Sequence, residues 1–192
     1  MSSVNNESAQ ITVLNASAPD GLLNQVPFLM KIRFITVGGT IDKVYFDALS
    51  QYQVGSPGVE RMLQELPVSF DYVVESVMRK DSLDMTPEDR ELVRTTVAAC
   101  PERHVIITHG TDTMIDTAMQ LLNIPDKCIV LTGAMQPANF RSSDAVFNVG
   151  VAIGAVLSRP EGVWLAMSGQ IFDPKTTRKN RTLGIFEEIP KS

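Results

Sequence analysis

KIRFITVGGTI, residues 31–41, is the stretch whose reading decides the fold. Isoleucine, phenylalanine, threonine and valine dominate its first seven residues, the composition of a strand set into a core. The run is too short for a buried helix, and the Gly38-Gly39 pair ends it as a turn would. Outward along the chain, similar runs return at residues 70–78 (FDYVVESVM), 104–108 (HVIIT), 127–131 (KCIVL) and 162–167 (GVWLAM). Between them, residues 57–66, 86–100, 112–122 and 144–157 carry apolar side chains at three-to-four spacing, the period of a helix with a buried face. Pro57 and Pro87 stand at first-turn positions, and Thr86 opens a T-P-E-D run whose acids suit a helix N-terminus. Strands alternating with helices predict an α/β fold: a single domain on a mostly parallel β-sheet with helices on both faces.

The chain has 192 residues, enough for one domain with a full hydrophobic core. A formal charge of −5 argues against nucleic acid or an anionic membrane surface as partner, because both select a basic face. No apolar run approaches the length of a membrane span. Cys100 and Cys128 are too few for a disulfide framework and are not spaced as a metal pair, so both are expected as small buried apolar residues. Residues 1–29 are rich in Ser, Asn, Gln and Ala and show neither a sustained period nor a secretory pattern. They are expected to form a flexible leader or arm ahead of a domain spanning residues 30–192. A reducing, cytoplasmic setting is the expected compartment.

In open α/β sheets, ligands bind beyond the carboxyl ends of the strands. Those ends are followed here by Gly38-Gly39-Thr40, Lys80-Asp81-Ser82, His109-Gly110-Thr111-Asp112, Gly133-Ala134-Met135 and Ser168-Gly169-Gln170. Two glycines let the backbone turn sharply and hold the Thr40 hydroxyl over the sheet edge. Thr111 and Asp112 either cap the next helix or form a hydroxyl–carboxylate pair whose acid receives a substrate amine. Ser82 either belongs to a capping region or bonds a substrate carboxylate beside free backbone N–H groups. The basic segment DPKTTRKNRT, residues 173–182, reads mainly as a solvated loop or hairpin. One lysine of it turned inward against Thr111 and Asp112 would be a candidate proton carrier. His104 and His109 bracket one strand without a third ligand, so both are assigned to structure, and no metal or organic cofactor is expected.

Taken together, four of these segments resemble the signatures of bacterial-type L-asparaginases, in the same order. Val37-Gly38-Gly39-Thr40-Ile41 is similar to T-G-G-T-I, and His109-Gly110-Thr111-Asp112-Thr113-Met114 to H-G-T-D-T-M. Gly133-Ala134-Met135-Gln136-Pro137 is similar to G-A-M-R-P, and Asp81-Ser82-Leu83-Asp84-Met85 to the family's substrate loop. The resemblance implies a fold like the N-terminal domain of that family, in a short form without the C-terminal domain. It implies catalytic roles for Thr40 as nucleophile and for Thr111, Asp112 and Lys179, the lysine in a K-x-x-T context closed by Thr182. Substrate binding falls to Asp81, Ser82, Thr111 and Asp112. The catalytic tyrosine falls on Tyr52, in Tyr52-Gln53-Val54-Gly55, or on Tyr45, which follows Thr40 more closely. Thr111 is the rival to Thr40 as the acylated hydroxyl.

The reaction so implied is hydrolysis of L-asparagine to L-aspartate and ammonia through a threonine acyl-enzyme intermediate, which divides attack on a poor electrophile into two easier steps. The alternatives are an amidase or ammonia-supplying subunit acting on L-glutamine, D-asparagine or a larger amide, and a non-catalytic amino-acid-binding domain. A homo-oligomer, dimer or tetramer, is also implied, since the family pairs subunits around its site. Two residues depart from the pattern. Val37 stands for the first threonine of T-G-G-T-I, and Leu83 stands where many periplasmic enzymes place a glutamine, removing one polar contact to the substrate.

Overall fold

The strand that opens with Lys31 runs through the middle of the central sheet. A computed structural model describes residues 11–12, 30–46 and 51–190. In chain order the elements are β1 (Ile11–Thr12), β2 (Lys31–Gly38), β3 (Lys43–Phe46), β4 (Gln51–Val54) and α1 (Gly58–Glu65). Next come β5 (Asp71–Lys80), α2 (Pro87–Ala99), β6 (His104–Thr108), α3 (Met114–Leu121) and β7 (Cys128–Thr132). The chain continues with α4 (Ala145–Ser158), β8 (Gly162–Met167), β9 (Gln170–Phe172), β10 (Thr177–Asn180) and β11 (Ile185–Glu188).

Seven strands form the central sheet in the order β1-β5-β2-β6-β7-β8-β9. The five interior strands, β5, β2, β6, β7 and β8, are parallel, while β1 and β9 close the edges in antiparallel fashion. Register sets the two faces. Phe34, Ile106 and Val130 lie side by side and pack under α1 and α4, against Val59, Leu63, Val149, Ala152 and Val156. Ile35, Ile107, Leu131 and Leu165 face the other way, onto Val93 and Val97 of α2 and Met114, Ala118 and Leu121 of α3. Because both faces are covered, the interior strands lack the alternation of a half-wet sheet. No helix among the described residues is long and apolar enough to cross a membrane.

The predicted helix starts follow their local chemistry. Thr86 and Asp89 form a reciprocal capping box at α2, with Pro87 in its first turn, while Pro57 is itself the residue that precedes α1. Three features were not anticipated: the β3–β4 hairpin, the edge strand β9, and the pairing of β1 with Val74 and Glu75 of β5. The first two are short and partly polar, and lie at the margin of the core where burial leaves no period to read. The leader, residues 1–29, lies outside the described residues apart from Ile11–Thr12.

Strand order has one consequence for ligands. From β2 the chain crosses to β5 on one side and then returns to place β6 on the other. The crevice between the carboxyl ends of β2 and β6 is therefore the switch point of the sheet, where the loops diverge. At the opposite pole Arg33 pairs with Glu75 and Glu102, and Lys127 donates to the carbonyls of Cys100 and Glu102. An open depression of about 480 Å³ there is lined in part by Arg33, Glu75 and Cys100. Its charged groups are already paired, so the chemistry is sought at the switch point instead.

Candidate active site

The loops after β2 and β6 touch through glycine. Gly39 has φ +93° and ψ −172°, and a β-carbon there would overlap the Cα and N of Gly110. A β-carbon on Gly110 would in turn collide with the Ser82 hydroxyl. Three loops that carry Thr40, Thr111 and Ser82 are thus interlocked at their backbones, a closeness that only residues without a side chain permit. Thr40 opens a 3-10 turn, Thr40–Asp42, immediately beyond this contact and is half-buried. The Ser82 hydroxyl is buried and has no hydrogen-bond partner among the described residues. An unsatisfied buried hydroxyl costs about 1–3 kcal/mol, so it is a group that a ligand would relieve.

Lys179 reaches into the same crevice. It lies on β10, whose pairing with β11 sets Lys179 opposite Phe186, and Phe186 is anchored in the core. The lysine Nζ donates to Thr111 Oγ1 at 2.7 Å and to Asp112 Oδ1 at 2.8 Å, and its side chain is only 9% exposed. Of the basic segment, this lysine is the one turned inward against the pair. The capping alternative for Asp112 is not what is found. Thr113 is the residue before α3, and its hydroxyl donates to the Ser82 carbonyl at 2.7 Å, tying the third loop to the first two.

Both candidate tyrosines lie on the β3–β4 hairpin, directly opposite one another. Their rings are 5.4 Å apart, Tyr52 also meets Phe140 at 6.2 Å, and each tyrosine is about half exposed. Side chains alternate along a strand, so the pair shares a face with Lys43, two residues before Tyr45. Lys43 reaches Asp81 Oδ2 at 2.7 Å, which brings that face down beside the Ser82 loop. Partial burial opposes the charge on Asp81, but Lys43 and the Leu83 N–H outweigh it and hold the carboxyl below its ordinary range. Asp81 thereby spends its charge on closing the hairpin over the loop.

Two buried ionisable groups flank the site with opposite shifts. Asp42 accepts from the Gly58 N–H at 2.7 Å at the start of α1, and burial pushes its carboxyl up to about 6 despite that bond and the charge of Arg79. His109 is fully buried; Nδ1–H donates to the Gly110 carbonyl at 2.7 Å and Nε2 accepts from the Thr117 hydroxyl at 2.8 Å. Burial pushes its imidazole down to about 4, against the Gly110 bond, so the ring stays neutral and orients the turn.

The signs oppose each other. Between about pH 4 and 6 the folded chain keeps a proton on Asp42 that the unfolded chain has lost, so stability falls as pH rises. Between about pH 6.5 and 4 the unfolded chain protonates the histidine while folded His109 refuses, so stability falls as pH drops. Asp42→Asn keeps an acceptor for Gly58 and removes the first effect. It is expected to stabilise the protein by on the order of 3 kcal/mol at pH 7 and by almost nothing at pH 4. Urea unfolding of wild type and variant across that range checks it; an equal gain at both pH values would remove the burial argument.

Sequence reasoning missed Asp42, Asp144 and Asn148. The Asp144 carboxylate accepts from the Met135 and Gln136 N–H groups at 3.0 and 3.1 Å. Asn148 is buried in α4, donates to Gly133 O and Asp144 Oδ2, and accepts from Ser168 N. Ser168 sits at φ +52°, a conformation that needs such an anchor. A β-carbon on Gly133 would overlap the His109 carbonyl, so this latch steadies the wall of the Thr111 loop. Its signal was legible: Asn148 is the lone polar side chain in the apolar run 145–157. Asp42 offered none. Among the described residues no three His, Cys, Asp or Glu side chains converge as a metal set would.

The fold agrees with comparisons to known proteins. The family model described as "Asparaginase, N-terminal" matches residues 31–187. L-asparaginase 2 of Escherichia coli (strain K12) is 31% identical over 168 residues, covering 82% of this chain and 48% of that protein. A glutaminase-asparaginase of Pseudomonas fluorescens biotype A is 28% identical over 157 residues, covering 74% and 43%. The solved structure of the thermostable L-asparaginase from Thermococcus kodakarensis shares the fold, with a TM-score of 0.71 at 24% identity, over 83% of this chain and 51% of that one. The chain spans about half the length of the curated relatives it matches.

Proposed function

Since this chain belongs to the asparaginase family, we propose that it hydrolyses the side-chain amide of a small amino acid, L-asparagine foremost, through an acyl-threonine intermediate. The observation that carries the reading is the bonding of Lys179 to both Thr111 and Asp112 in a crevice that abuts the Thr40 loop.

In this reading Thr40 Oγ1 attacks the amide carbon while its proton passes by way of Tyr45 or Tyr52 to the amide nitrogen, so that the C–N bond breaks and ammonia leaves. Because the Lys179 ammonium fills an acceptor position on Thr111 Oγ1, the Thr111 hydrogen is free to be directed at substrate or water. Lys179 and Asp112 hold that hydroxyl in place, and water attacks the ester in the second half-reaction. Backbone N–H groups near Thr111 stabilise the oxyanion, an effect of roughly 3 kcal/mol per donor in comparable sites. The Asp112 carboxylate receives the substrate ammonium, and the buried Ser82 hydroxyl bonds the substrate carboxylate. Asp81 contributes to binding by holding the hairpin in place through Lys43.

The same proposal takes residues 1–29 as a leader to a domain spanning residues 30–192. It sets the chain in a reducing, cytoplasmic compartment, where the buried free thiols of Cys100 and Cys128 persist. Ammonia release from L-asparagine, L-glutamine and D-asparagine by the purified chain tests the function. Turnover is expected with L-asparagine as the best of the three. Aspartate binding with all three amides left intact would replace the enzyme by a binding domain.

A further inference from the structure

Helix α1 begins without a cap of its own. Pro57 precedes it and has no side-chain acceptor, so the free N–H groups of the first turn need a partner from elsewhere. Gly58 finds one 16 positions back in the chain, where its N–H donates to Asp42 Oδ1 at 2.7 Å. Asp42 is only 4% exposed, and the approach is close. A β-carbon on Gly58 would stand 3.0 Å from the Ala138 side chain and 3.1 Å from the Ile41 carbonyl.

The backbone of Asp42 ties two further segments. Its N–H donates to Gly39 O at 3.1 Å and closes the turn that opens with Thr40. Its carbonyl accepts from the Gly55 N–H at 2.7 Å and closes the base of the β3–β4 hairpin, next to the Lys43–Val54 pair. Thr40 therefore stands two residues before Asp42 and Tyr45 three residues after it, while Tyr52 stands three residues before Gly55. Helix α1, the fourth party, is seated in the core by Val59, Met62 and Leu63.

We infer that Asp42 is a positioning residue for acylation: by capping α1 it fixes the Thr40 turn and the tyrosine hairpin together against an immobile helix. The inference rests on the reading of Thr40 as nucleophile and of a tyrosine as its proton carrier. Among the described residues, the Asp42 carboxylate makes the one side-chain hydrogen bond to this turn; the other ties run through backbone. It is thus the tie that a substitution cuts while leaving the chain path intact. Attack on an amide needs the hydroxyl in line with the carbonyl carbon, and a displacement of about 1 Å there costs on the order of 100-fold in rate.

Asp42→Ala tests it. The variant should lower kcat/KM for L-asparagine, which reports the steps up to ammonia release, by roughly 30–100-fold. Aspartate should still bind as it does to wild type, because Asp42 is not among the groups read as touching substrate. Asp42→Asn keeps an oxygen for the Gly58 N–H and should recover most of the rate. Val59→Ala, a cavity in the same helix, should lower the melting temperature yet leave kcat/KM unchanged. Amide exchange followed by NMR supplies a readout that needs no turnover. The Gly58 N–H should be protected in wild type, and residues 43–54 should exchange faster in Asp42→Ala. A wild-type rate in Asp42→Ala overturns the inference, as does a loss that Asp42→Asn fails to recover or that Val59→Ala reproduces. An unprotected Gly58 N–H in wild type overturns it without any variant. A chain that hydrolyses none of the amides sinks the proposed reaction instead, and exchange still decides whether Asp42 ties the turn to the helix.

Discussion

Thr40→Ala is expected to lower ammonia release from L-asparagine by roughly 10⁴-fold or more while leaving the protein folded. Loss of a nucleophile removes the covalent route altogether rather than slowing one step of it. Thr40 is half-buried at the start of a 3-10 turn, and the packing of its loop is carried by the Gly39–Gly110 contact, not by its own side chain. Removing the hydroxyl therefore leaves the crevice intact. Lys179→Met supplies the contrast. It strips Thr111 and Asp112 of their common partner and should slow turnover by roughly 10²–10⁴-fold, the range of proton-handling groups, while an acyl-enzyme still forms. Acid-quenched enzyme, digested and weighed, should carry the aspartyl group on the peptide containing Thr40. Activity that survives Thr40→Ala, with the acyl group on the Thr111 peptide, would exchange the roles of the two threonines.

Gly39→Ala should be the most damaging single methyl group in the molecule. Two costs coincide. The backbone conformation, φ +93° and ψ −172°, is one that essentially only glycine adopts, and the added carbon would overlap the backbone of Gly110. Neither neighbour can yield, because the Gly39 N–H donates to Lys80 O at 2.9 Å and Gly110 already abuts Ser82. A loss of roughly 3 kcal/mol or more is expected, beyond what most substitutions cause. It should appear as a lowered urea midpoint together with lost ammonia release. A midpoint close to wild type would mean that the Thr40 and Thr111 loops are not interlocked as described.

The local layers of the fold were legible because burial writes a period into the chain. Runs such as residues 31–37 and 104–108 became strands, and the three-to-four spacing of residues 86–100 and 144–157 became α2 and α4, with shifts of a residue or two at the ends. Turn chemistry was equally local: Thr86 caps α2 with its own near neighbour, and the Gly38-Gly39 pair ends β2. The β3–β4 hairpin was not legible, since its residues pack against one another and the site rather than the core. Nor was the exposed apolar side of α4, with Val146 and Phe147, separable from a core helix, because apolar residues on both faces read simply as burial.

From the sequence alone came the alternation of strands and helices, the loops at the carboxyl ends of the strands, and the residue types those loops present. Each depends on neighbours a few positions apart, which is the range over which propensity and periodicity act. Tertiary structure decided which loops meet. Strand order made the β2–β6 crevice the switch point, and β10 carried Lys179 across 68 positions of sequence to Thr111. It also decided that Asp42 is buried and protonates easily while Asp81 stays charged against Lys43. Two aspartates of identical local character part ways because a charge is governed by the water and partners around it. Those are set by the packing of segments remote in the chain.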